Sequence, residues 1–256
     1  MNETRMNPLL QDWTGPAGLP PFAEIEPAHF MPAFEAAMAR HREEIEAIAA
    51  NPAPASFDNT VAAFDASGRL LNRIEALFYT LAASATNEAL QAVQREVAAP
   101  MAAHASWVAM HQGLFQRLDA LMAQRPQLGL AADQQRLLER LHLEAVRAGA
   151  KLAPAARERY AAIMQRLAEL NTQFAQNVLA DEAGYRLILK SEAELAGLPE
   201  FVRAVMKQAA VERGLEDGAH LVTLSRSHVV PFLTFSARRD LRQQAWAAWV
   251  SRGEHE

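Results

Sequence analysis

The chain has 256 residues, half of them hydrophobic and 21% charged, with 25 Lys+Arg against 30 Asp+Glu and a formal charge of −5. That balance excludes a disordered chain and supplies no general field for nucleic acid or an anionic membrane. With no cysteine there is no disulfide framework, thiol nucleophile or thiolate metal site.

Residues 1–7 lack a basic start followed by an apolar run, so no signal peptide is expected and the cytoplasm is the default compartment. Pro8, Gly15, Pro16, Gly18, Pro20 and Pro21 make residues 1–26 an extended arm. From about Pro27 to Ala50, apolar steps of three and four at Phe30, Phe34, Met38, His41, Ile45 and Ile48 predict a helix that Asn51-Pro52 ends. A second helix, about 58–83, carries Val61, Phe64, Gly68, Leu71, Ile74, Phe78 and Leu81, with Gly68 permitting close approach of a neighbour. Its start, Phe57-Asp58-Asn59-Thr60, offers side chains that cap backbone N–H groups.

A third helix, about 87–123, has Asn87 as N-cap, and Pro100 should kink or split it. Its stripe runs Leu90, Val93, Val97, Met101, His104, Val108, His111, Phe115, Leu118, Met122. Val97–Gln116 holds no Asp, Glu, Lys or Arg, yet Pro100, His104, Ser106, His111 and Gln112 make it a core helix rather than a bilayer span. A fourth helix, about 132–148, turns Leu137, Leu138, Leu141 and Val146 inward and stops at Gly149. A fifth, about 154–181, is expected to bury Tyr160, Ile163, Met164, Leu167, Leu170, Phe174 and Val178.

After Asp181 the texture changes. Tyr185–Lys190, His220–Leu224 and Val229–Phe235 read as strands, with Pro231 placing the last at an edge or its start. A helix opening at Leu198-Pro199-Glu200 separates the first two, and Ser236 caps a final helix with Leu241, Trp246 and Trp249. The expected fold is mainly α: an array of long amphipathic helices with a small antiparallel β element near 185–235. The domains are the arm 1–26, a helical domain 27–182, and a part 183–256 that is an incomplete start of an adjoining lobe. No fixed-period repeat is present.

No catalytic constellation stands out. Zinc catalysis asks for about three ligands, usually with two His at i and i+4 on a helix, and no two histidines here have that spacing. His41, His104 and His111 lie on apolar stripes, the pattern of core histidines rather than ligands. His255-Glu256 could open an H-E-x-x-H but is read as chance. There is no G-x-S-x-G, P-loop or G-x-G-x-x-G. Ser225-Arg-Ser-His228 puts a hydroxyl near an imidazole, but a triad is built in space, not in sequence. Arg226, Arg238, Arg239 and Arg242 are either a solvated helix start or a contact for an anion or peptide carboxylate. Glu43, Glu44 and Glu46 read as a solvated face, and Trp246 and Trp249 as core or interface packing.

An ordered series of phrases carries a resemblance. Asn7-Pro-Leu-Leu10, Pro20-Pro-Phe22, Ile25-x-Pro27-x-His29-Phe30, Pro32-Ala-Phe34 and Glu44-Ile45-x-x-Ile48-Ala49-x-Asn51-Pro52 come first. Phe57-x-Asn59-Thr60, Ser67-Gly68, Thr86-Asn87, Gly149-Ala-Lys-Leu152, Asn177-Val-Leu179 and Leu195-Ala-Gly-Leu-Pro-Glu200 follow. Over essentially its whole length the chain resembles the N-terminal region of the M3 family of zinc oligopeptidases, nearer the peptidyl-dipeptidase branch than the oligopeptidase A branch.

The resemblance implies a mostly helical protein of two lobes flanking a channel, cleaving short peptides at a zinc held by an H-E-x-x-H helix and a downstream Glu. None of those residues is in this chain, so it carries over no catalytic or metal residue and leaves substrate-binding residues unknown. Zinc is expected in the full-length parent and none in this chain. Short peptides are the expected partners of the parent, with no nucleic acid and no membrane. Exposed apolar surface around Trp246 and Trp249 predicts self-association of the fragment. The alternative is a complete, non-enzymatic helical module that binds a peptide or a protein.

Overall fold

The computed structural model describes residues 7–254; the stretch before Asn7 and the terminal His255-Glu256 pair lie outside the described residues. The chain divides into two compact units, the first running to Thr172 and the second starting at Gln173.

In the first unit, short 3₁₀ turns lead into α1 (Phe30–Ala49). A π-helical turn (Phe57–Ala62) and a single turn α2 (Ala63–Asp65) precede α3 (Arg69–Ser84), α4 (Glu88–Ala109), α5 (Gln112–Gln124) and α6 (Ala132–Arg147). A 31-residue helix, α7 (Pro154–Gly184), contains the division between the units.

The apolar stripes read from the sequence define the cores. Phe30, Phe34 and Phe78 meet at ring-centroid distances of 5.0–6.5 Å and pack with Leu71, Ile74, Leu90, Val93 and Val97. A second cluster gathers Ile45, Ile48, Val61, Leu114, Leu118, Leu121 and Leu138. The N-terminal segment is tied down: Leu9 is fully buried, and Arg73 on α3 donates to the carbonyls of Leu9 and Gln11 at 3.1 and 2.8 Å. The Asn7 side chain caps Leu9 N and donates to the His29 carbonyl, so two of the sequence phrases meet.

Two helix boundaries differ from the pattern-based expectation. The helix expected over 58–83 breaks at Gly68, which has left-handed φ/ψ before α3. The split expected at Pro100 falls instead at Met110–His111, and α4 runs through the proline. Pro100 is exposed and costs α4 one N–H bond without ending it, whereas the His111 imidazole offers an N-cap by accepting from Leu114 N at 3.2 Å. Asn87 caps α4 as expected, accepting from Leu90 N at 2.9 Å.

The larger correction concerns α7. The expected burial of Tyr160, Ile163, Met164, Leu167, Leu170, Phe174 and Val178 is not observed: no residue of this helix is buried, and Leu167 and Phe174 are 45% and 57% exposed. A periodic stripe specifies which face a helix can bury, not that a partner is present to bury it.

The second unit holds β1 (Leu187–Leu189), α8 (Glu200–Glu212), β2 (His220–Val222), α9 (Arg226–Phe235) and α10 (Arg239–Val250). β1 and β2 pair antiparallel with Leu187 opposite Val222 and Leu189 opposite His220. The third expected strand, Val229–Phe235, is helical and belongs to α9. Its buried positions are Val229 and Phe232, a step of three rather than two, and they belong to the cluster of Leu189, Val202 and Met206. Ser236 is buried between α9 and α10 rather than at the head of the final helix, which starts three residues later.

Arg117 on α5 joins the parts of the second cluster that lack regular structure. Its guanidinium donates to Asn51 O (2.9 Å), Ala53 O (3.1 Å), Asn59 Oδ1 (2.8 Å) and Thr60 Oγ1 (3.1 Å). Ser56 and Asn59 cap each other reciprocally at the head of the π turn. Arg117→Met should therefore lower stability by about 2–3 kcal/mol, because the fully buried Thr60 hydroxyl and the loop carbonyls lose their donor. Urea unfolding checks this, and Arg117→Lys should recover less than half, having no planar fork.

Candidate functional site

The densest polar arrangement in the first unit lies where α1, α3 and α4 approach. Gly68 sits at φ +69°, and a Cβ there would fall 2.9 Å from Cε1 of His41. Its N–H donates to Glu44 Oε2 at 2.7 Å, so α1 supplies both the ring that fills the space and the carboxylate that caps the turn. His41 Nε2 is 3.2 Å from Ser67 Oγ, Ser67 Oγ donates to Phe64 O at 2.7 Å, and His104 Nε2 is 3.0 Å from His41 Nδ1.

The carbonyl at the end fixes the direction of the whole chain. Phe64 O can only accept, so the Ser67 proton is committed and Ser67 Oγ accepts from His41 Nε2–H. The bare Nδ1 of His41 then accepts from His104 Nε2–H. That leaves His104 Nδ1 as an acceptor, and it is buried without a partner. Burial, with His41 and Arg42 nearby, pushes the His104 imidazole down to about 4, and burial also lowers His41 against the pull of Glu44. Both rings are neutral at pH 7. The serine is not activated, since the imidazole beside it presents a proton rather than a lone pair.

A half-open cavity of about 380 Å³ adjoins this chain, between α1, α3, α4, α5 and α6. Leu71, Met101, Val108, Leu118 and Leu141 form apolar wall, and His41, His104, His111, Asn72, Glu75 and Glu144 are its polar members. Glu144 is paired with Arg140 at 2.7 Å. Glu75 is half-buried with no hydrogen bond or ion pair among the described residues, and burial raises its carboxyl. The sequence placed His104 and His111 on one face, but His104 bonds to His41, 63 residues away, and His111 faces Glu46 at 3.3 Å.

In the second unit, Ser225 Oγ lies 3.0 Å from Thr223 Oγ1 and 3.1 Å from Ser227 Oγ, and the structure gives it no bond to His228. The His228 Nδ1 is buried without a partner, and burial lowers that imidazole. Arg238 forms a two-bond pair with Asp240 at 3.0 and 2.6 Å, and Arg242 donates to the Ser236 carbonyl. Two of the four arginines of the local basic excess are thus spent locally; Arg226 and Arg239 are exposed. Trp246 is 54% exposed, whereas Trp249 packs against the second-unit core. Among the described residues no three His, Asp or Glu side chains come together as a metal site, and no helix is long and apolar enough to cross a membrane.

Amphipathic helices packed on apolar cores, with one antiparallel strand pair, are the class that this geometry defines. No family model matches the chain. It is 36% identical over 251 residues to dipeptidyl carboxypeptidase of Escherichia coli, covering 98% of this chain and 37% of that protein. Dipeptidyl carboxypeptidase of Salmonella typhimurium is 35% identical over 97% of the chain and 36% of its own length. Oligopeptidase A of Haemophilus influenzae is 29% identical, covering 98% of the chain and 36% of that protein. The chain is therefore similar to dipeptidyl carboxypeptidases first and to oligopeptidases A second, in the order the sequence phrases gave. It spans little more than a third of the length of the curated relatives it matches.

Gly68→Ala should cost about 1–3 kcal/mol in urea unfolding, because the φ is wrong for a side chain and the Cβ meets the His41 ring. The histidines predict a pH dependence. A group whose native pKa lies below its unfolded value stabilises fully above the unfolded value and progressively less below it. Unfolding free energy should fall as pH drops from 6.5 toward about 4, by up to about 3 kcal/mol from His104. Replacing that residue by His104→Phe should flatten this part of the curve, measured by chemical denaturation at each pH.

Proposed function

We propose that this chain is the N-terminal, non-catalytic part of a cytoplasmic zinc metallopeptidase that removes C-terminal dipeptides from short peptides, and that it forms part of the substrate-channel wall. The observation that carries this reading is the match of 98% of the chain to 37% of a dipeptidyl carboxypeptidase. The residues described above do not fit a zinc site, so in this reading the metal is held elsewhere in the parent. The exposed stripe of α7 supports the same reading: Ile163, Leu167 and Leu170 form an apolar face that the remainder of such an enzyme would cover. In the absence of that remainder, this face and Trp246 make self-association the expected behaviour of the chain.

The test combines the chain with the portion of Escherichia coli dipeptidyl carboxypeptidase that the match leaves out, with zinc and an N-acetylated tripeptide. The chain alone should release no dipeptide, and the mixture should associate and release it. Leu167→Glu should weaken that association about tenfold or more, the loss expected for one buried leucine. Dipeptide release by the chain alone overturns the non-catalytic assignment. Failure to associate, together with peptide binding by the chain alone, would instead favour a free-standing binding module.

A further inference from the structure

We propose that the cavity between α1, α3, α4, α5 and α6 is a binding site for a primary ammonium group carried on an apolar body, with the Glu75 carboxylate as its counter-ion. The inference stands on residues of the first unit alone and does not depend on the peptidase reading. The volume of about 380 Å³ falls within the roughly 300–1,000 Å³ typical of small-molecule sites. Most of the wall is hydrocarbon, from Leu71, Met101, Val108 and Leu118, which selects an apolar body.

The polar side selects the head group. No lysine or arginine lines the cavity, and the two carboxylates that do are Glu75 and Glu144. Glu144 already has Arg140, whereas Glu75 has no donor among the described residues. A buried unpartnered polar atom on a lining residue, His104 Nδ1, is also an acceptor by the direction of its hydrogen-bond chain. What this cavity lacks is a cationic donor to match the Glu75 carboxylate. A neutral ligand would leave the half-buried carboxylate desolvated, and an anion would add repulsion. An ammonium brings three N–H donors and the opposite charge, and charge-assisted hydrogen bonds of this kind are about twice as strong as neutral ones. The raised carboxyl of Glu75 marks the same deficit, because a nearby cation would lower it.

Two sources present this chemistry, a free aralkylamine and the amino-terminal residue of a short apolar peptide. The test titrates the ¹⁵N-labelled chain at pH 7 with 2-phenylethylammonium, 2-phenylethanol and phenylacetate. The amine should shift the amides of Leu71, Met101 and Val108 and bind about tenfold or more tighter than the alcohol, with phenylacetate weakest. Glu75→Gln keeps the shape of a half-exposed side chain and should abolish the preference for amine over alcohol while leaving alcohol binding unchanged. A second pair, phenylalanylglycinamide and its N-acetyl form, separates the sources. Binding lost on acetylation assigns a peptide amino terminus, and binding of the free amine alone assigns a small molecule. Equal affinity of wild type for amine and alcohol, an unchanged preference in Glu75→Gln, or no shift at the three amides overturns the proposal.

Discussion

Three helices of the first unit meet at a point where no side chain fits. A Cβ on residue 68 would fall 2.9 Å from the His41 ring, so glycine at this left-handed position lets α1 and α3 cross this closely. Much follows from that contact. The left-handed turn at Gly68 separates α2 from α3, and Glu44 satisfies the N–H that the turn leaves over. His41, held in place by the contact and by Ser67, presents its Nδ1 to His104 and so fixes α4 against α1. The two rings are neutral because burial disfavours their charged forms, and they tolerate burial because each has a directed hydrogen bond. Only the last atom in the chain, His104 Nδ1, is left over, on a residue that lines the cavity.

The rest of the first unit divides its packing around that junction. On one side the tilted and edge-on rings of Phe30, Phe34 and Phe78 fill the space between α1 and α3. On the other, Ile45, Ile48, Val61 and Leu118 form a core whose irregular edge, the Asn51–Thr60 segment, has few backbone partners of its own. Arg117 supplies them from α5. Its four acceptors come from four residues between Asn51 and Thr60, so one guanidinium does for the loop what ladder bonds do for a strand.

Local structure was legible where a local rule governs it. The stripe Phe30, Phe34, Met38, Ile45, Ile48 gives both the existence and the buried face of α1, and Asn87 marks the start of α4. The β1–β2 pair is read from its apolar runs. Val229–Phe235 misled because β-branched and aromatic residues suit either state, and the i, i+3 burial of Val229 and Phe232 depends on neighbours beyond the local window. The polar sites were hidden for a different reason. His41 and His104 are 63 residues apart, and Arg117 lies 57 to 66 residues from its acceptors. No spacing rule joins such partners. Glu75 was equally silent, since what distinguishes it is the partner it lacks in space.

The exposed α7 is the one large element that the two cores do not explain. At about 1.5 Å per residue its 31 residues extend about 46 Å, yet none is buried. Helices in proteins owe most of their stability to packing of an amphipathic face rather than to propensity, and an exposed pair such as Arg166–Glu169 adds only about 0.3–0.5 kcal/mol. A stripe of Ile163, Leu167, Leu170 and Phe174 is therefore a surface shaped to be covered. The chain matches little more than a third of the length of each curated relative, and a covering partner for this stripe is what the proposed reading supplies. The junction at Gly68 and the clamp at Arg117 organise the packing of the first unit, while α7 keeps its apolar stripe exposed.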